Sequence, residues 1–88
     1  MNTIKIPRIY LGCEDRNEYQ HVLADISDWI GEQEGNNSDS YNKTVITIQS
    51  VIFKEDYIEM VFSIDYSNSP KGAYVEPFNL WLESILNS

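Results

Sequence analysis

Catalysis needs a nucleophile, a base or a charge held in place, and this 88-residue chain carries few candidates for any of them. Cys13 is its single cysteine and His21 its single histidine. Cys13 falls between a strand-like stretch and a helical pattern, and a helix N-terminus can lower a thiol's pKa. The adjacent Glu14 and Asp15 oppose a thiolate, however, and no third residue at a sensible position completes a Cys–His set. Cys13 therefore reads as an ordinary semi-buried side chain. One cysteine also excludes an internal disulfide framework and a multi-cysteine zinc site. Asp25 and Asp28, one helical turn apart, would hold a hard cation only weakly. A Gly-rich phosphate loop and a Gly-x-Ser-x-Gly elbow are both absent. The expectation is no catalytic residue, no metal and no cofactor: a protein that binds rather than an enzyme.

What remains is charge. Fourteen Asp and Glu face six Lys and Arg, a formal net charge of −8. Such a field repels phosphate backbones and anionic membranes and draws in basic surfaces with a fast, salt-sensitive on-rate. Part of the charge has an address. Glu14, Glu18, Asp25, Asp28 and Glu32 are spaced by four, seven, three and four residues, which keeps them on one side of a helix, meeting its apolar face near Trp29. Like charges so placed cost about 0.2–0.5 kcal/mol per pair, a cost that interleaved lysines would remove. Only Arg16 breaks the acidic bias of this side. One reading is a strip of carboxylates that imitates a nucleic-acid backbone; the other is a solvated helix face. Glu14, Glu18, Asp25, Asp28, Trp29 and Glu32 are accordingly the first candidate partner-binding set.

Positioning these side chains requires a fold, and the composition supports one. Leu, Ile, Val and Phe make up 24 of the 88 residues, above the range where high net charge means disorder. Residues 1–88 read as one small α+β domain near the lower size limit for folding without disulfides or metal. Ile4 to Leu11 reads as a strand, and Pro7 inside it makes this an edge strand or one broken by a bulge. Asp15 to Glu18 has capping-box spacing. Tyr19, Val22, Leu23, Ile26, Trp29 and Ile30 then fall on one face of a helix from about Arg16 to Gln33, ended by Gly35. A polar loop over 35–43 leads to strands Thr44–Lys54 and Tyr57–Tyr66, the second alternating cleanly. After a turn at Asn68–Gly72, Pro77 opens a short helix bearing Phe78, Trp81, Leu82 and Ile85. The order is β-α-β-β-α: a three-stranded, mainly antiparallel sheet with the third strand central, the first at an edge, and two helices on one face.

The register of the middle hairpin decides a second surface. A three-residue connection at Glu55–Tyr57 aligns Ile46, Ile48 and Ile52 with Ile64, Phe62 and Met60, whereas a two-residue turn would bury Thr47 and Gln49. The odd connection is the expectation, and it places Val51, Phe53, Tyr57, Glu59 and Val61 together on the outer face as the second candidate patch.

The functional expectation is a small acidic binding module that antagonises a basic partner, a nuclease or another nucleic-acid-binding protein. Immunity and anti-defence proteins are of this mechanistic type. Direct nucleic-acid binding and membrane insertion are not expected. The alternative is a non-catalytic structural or adaptor protein forming a homodimer through its sheet face. No apolar run of signal-peptide or membrane-spanning length is present, which points to a cytoplasmic location.

Overall fold

A computed structural model of the chain describes residues 1–7 and 19–86. Among them the elements follow the expected order: β1 (Asn2–Pro7), α1 (Tyr19–Asn36), β2 (Val45–Phe53), β3 (Tyr57–Asp65) and α2 (Phe78–Leu86). The expected end of the first strand, Arg8 to Leu11, lies outside the described residues, as do Cys13 and the capping box. The sheet order is β1-β3-β2 with both pairings antiparallel, so the strand with the cleanest alternation is central and the proline-bearing strand is an edge.

Both helices cover one face. Ile6 of β1, Ile46 of β2, and Ile58, Met60 and Phe62 of β3 are buried against Val22, Ile26 and Trp29 of α1 and Phe78, Trp81 and Leu82 of α2. Trp29 is at the centre of this layer. Its ring meets Phe62 edge-on at 5.4 Å and Phe78 at 5.6 Å, and Phe78 in turn stacks on Trp81. Edge-to-face geometry suits the ring quadrupoles and adds to the area each aromatic buries.

The hairpin departs from expectation in an instructive way. Phe53 pairs with Ile58 and the Lys54 N–H donates to the Tyr57 carbonyl at 2.8 Å, which closes a two-residue turn at Glu55–Asp56. That parity alone would expose Ile46 and Ile48. A β-bulge at Gln49 corrects it: Ile46 pairs with Ile64 and Ile48 with Phe62 before the shift, Val51 with Met60 and Phe53 with Ile58 after it. A bulge inserts one residue and so exchanges the faces of everything beyond it. Hence Ile46, Ile48, Val51 and Phe53 all pack on the core side, and Val45 and Ile52 turn outward.

The end of α1 also differs. The helix passes through Gly35 to Asn36; the Asn37 N–H still makes the i→i−4 bond to the Gln33 carbonyl at 3.1 Å, and its side-chain amide donates to the same oxygen at 2.8 Å. Among the described residues no left-handed residue ends this helix. The chain does need one at Gly72, where φ is +83° in a turn closed by the Ala73 N–H on the Pro70 carbonyl.

Candidate partner-binding surfaces

α1 spans about 27 Å at the usual helical rise, and its described carboxylates divide by environment. Asp28 and Glu32 are exposed and Asp25 is half-buried; Glu14 and Glu18 lie outside the described residues. Glu32 has a structural attachment as well, because its Oε2 accepts the Trp81 indole N–H at 2.8 Å. The row thus borders α2 and helps to hold it.

Trp29 leaves the candidate set. It is 0 % exposed, and its indole N–H donates to the Glu76 carbonyl at 2.8 Å. Four residues advance the helix by about 40° beyond a full turn, enough to carry Trp29 from beside Asp25 into the aromatic layer. No part of its side chain is available to a partner.

Trp29 belongs instead to a stripe that the sequence reading missed. Gln33 and Asn37 follow it at intervals of four and are buried, at 5 % and 8 % exposure. Gln33 Oε1 accepts the Glu76 N–H at 2.9 Å and Asn37 Oδ1 accepts the Tyr74 N–H at 2.7 Å. Between them, the Val75 N–H donates to the Tyr66 hydroxyl at 3.1 Å. A strap of extended chain is therefore sewn to α1 by side chains, as a strand is sewn to a sheet. The usable signal was two amide residues continuing the Trp29 register at a helix's end.

The second patch changes membership. Val51 and Phe53 face the core for the reason of parity given above. Tyr57, Glu59 and Val61 are on the outer face, half-buried among their neighbours, and Ile52 joins them at 42 % exposure. Polar pairings occupy much of this face. Lys5 Nζ lies 5.2 Å from the Tyr57 ring centroid and is directly opposite Glu59, while the Gln49 amide donates to Ser63 Oγ at 3.0 Å. The exchange of Val51 and Phe53 for Ile52 leaves a more hydrophilic surface than the sequence suggested.

The polar loop over residues 37–44 has internal order. Asp39 accepts the backbone N–H groups of Tyr41 and Asn42, and these bonds hold its carboxyl below the usual carboxylate range. Asp65 is lowered likewise, by the Ser67 hydroxyl first and the Ser67 backbone N–H second. Thr44 is buried and its hydroxyl donates to the Asn37 carbonyl at 2.7 Å, tying the loop to the helix end.

Two clefts are formed by the described residues. One of about 320 Å³ opens at the sheet end between Ile4, Phe62, Ile64, Tyr66 and Val75. Another of about 330 Å³ lies beside the start of β2, lined by Gly31, Glu34, Gly35, Ser38 and Lys43. Neither brings a nucleophile together with a histidine or a carboxylate pair. Among the described residues no group of three His, Cys, Asp or Glu is placed to hold a metal ion, and no helix is long and apolar enough to cross a membrane. Compared with protein-family models, curated proteins and solved structures, the chain matches none.

Proposed function

We propose that this chain is a small acidic protein-binding module that engages a basic partner, a nuclease or another nucleic-acid-binding protein, and inhibits it by occupying the surface meant for phosphates. The observation that carries this reading is the net charge of −8 on 88 residues, with Asp25, Asp28 and Glu32 along one side of α1. Fixed carboxylates on a rigid helix present charge without the ordering cost of a flexible acidic tail. Long-range attraction of this kind mainly raises the association rate and weakens with salt.

The test is a charge-neutral variant with Asp25→Asn, Asp28→Asn and Glu32→Gln, the last chosen because glutamine keeps an oxygen for the Trp81 indole N–H. Proteins captured at low salt by the parent chain, released at high salt and displaced by duplex DNA or RNA are the expected partners. The variant captures them at least tenfold more weakly while melting like the parent. Equal capture by parent and variant at low salt eliminates the acidic face as the binding surface.

A further inference from the structure

The two edges of the sheet are closed in different ways. β1 closes its own: Pro7 removes a donor, and Lys5 adds a charge that resists addition of another strand. β2 has no such residue. From Val45 to Phe53 it contains no charge, no proline and no glycine, and most of its residues are β-branched. A strand of this composition at an edge is a template for pairing with another strand.

Its outward amides show what prevents this. The Lys43 N–H donates to the Asn68 carbonyl, on the β3 side. The amides of Thr44 and Ile46 therefore turn away from β3, and each meets a side chain from α1 or the loop after it. The Thr44 N–H donates to Ser38 Oγ at 3.1 Å, and the Ile46 N–H donates to Glu34 Oε2 at 2.8 Å. Ile48 is next in the same alternation, and the bulge at Gln49 then interrupts the run. Beside these bonds lies the cleft bordered by Gly31 and Gly35, where a Cβ built on either glycine meets nothing within 4 Å. The approach to this edge is open at the two glycines, and the Glu34 and Ser38 side chains stand at the strand itself.

We infer that Glu34 and Ser38 are strand-edge guards, whose occupation of the Ile46 and Thr44 amides keeps β2 from pairing with β2 of a second copy of this chain. The occupant is a second copy because the edge has no charge with which to select a foreign strand. Antiparallel pairing of β2 with itself about a two-fold axis also repeats the same contacts from both sides. Without the guards, Thr44, Ile46 and Ile48 present a continuous row of outward donors. With them, Ile48 follows as the next outward donor before the bulge, and the mutual repulsion of two chains of charge −8 opposes the approach of a second copy.

The test compares the double variant Glu34→Ala/Ser38→Ala with Glu34→Gln, which has the same net charge but keeps an acceptor oxygen. Sedimentation from micromolar to millimolar concentration should move the double variant from monomer toward twice that mass, more readily with added salt, while Glu34→Gln stays monomeric. Amide exchange should show Ile48 protection rising with concentration in the double variant alone. A folded double variant that remains monomeric throughout overturns the inference, as does equal association of both variants. Should the double variant fail to fold, the parent chain decides: its Ile46 amide must exchange at least tenfold more slowly than that of Ile48, and equal rates refute the guard.

Discussion

Two stripes run along α1, one at Asp25, Asp28 and Glu32 and the other at Trp29, Gln33 and Asn37. They share a helix and a spacing of three to four residues, but their polar atoms have opposite partners. On the first stripe Asp28 and Glu32 are exposed, and Glu32 accepts the Trp81 indole N–H. On the second, the indole and both amides are buried and bonded to the backbone of a strap some forty residues away in sequence. The second stripe, a short rotation around the helix, holds the fold, while the first carries the charge on which the proposed binding depends.

The sharpest way to break this comparison is at Trp29. Replacing it with alanine removes the centre of the aromatic layer and leaves the Glu76 carbonyl without its donor, at a cost of about 3–5 kcal/mol. Small domains have about 5–15 kcal/mol in total, so the variant should show a greatly lowered melting temperature or no cooperative transition at all. A transition within a few degrees of the parent's would mean that Trp29 is not the keystone of the core.

Gln33→Ala and Asn37→Ala probe the strap more gently. Each strands a backbone N–H, of Glu76 or Tyr74, with an expected loss of about 1–3 kcal/mol in urea unfolding. Faster exchange at that one amide would attribute the loss to the broken bond. Sites on the other stripe should behave differently. Asp28→Asn, at an exposed position, should change stability by no more than about 0.5 kcal/mol, and the effect of the Asp25→Asn/Asp28→Asn/Glu32→Gln variant should appear in partner capture instead. A variant that loses stability as steeply as Asn37→Ala would erase the distinction between the stripes.

The smallest effect belongs to Asp39. Its folded pKa is depressed by the N–H groups of Tyr41 and Asn42. Its contribution is therefore complete above the unfolded carboxylate value of about 3.9 and disappears as pH falls through the lower folded value. Carboxyl NMR titration should place its midpoint below those of ordinary exposed aspartates, and Asn42→Ala should raise it. A midpoint at the ordinary value would show that the turn is not formed in solution.

Much of this arrangement was readable beforehand, and particular residues show where reading stopped. The alternation of Ile58, Met60, Phe62 and Ile64 put β3 in the centre, and Pro7 put β1 at an edge. β2, whose apolar residues occupy both parities, was read with a three-residue connection because that choice buried its isoleucines, and the two-residue turn overturns that reading. The bulge at Gln49 settles that conflict by giving each half of the strand its own parity, and no local signal marks such an insertion. Trp29 was misjudged for another reason: periodicity locates it at the boundary of two faces, and only the docking of Phe62, Phe78 and the Glu76 carbonyl decides which face it joins.

The sequence by itself therefore determined the order of elements, the direction in which most side chains point within each, and an excess of negative charge, since all three follow from composition and from periods of 2 and 3.6 residues. Only the tertiary structure decided which polar groups are engaged. Gln33 finds Glu76 across 43 positions, Asn37 finds Tyr74 across 37, and Glu34 finds Ile46 after a change of element. A hydrogen bond depends on where two distant segments come to rest, and that position is set by the packing of the whole core rather than by either segment alone.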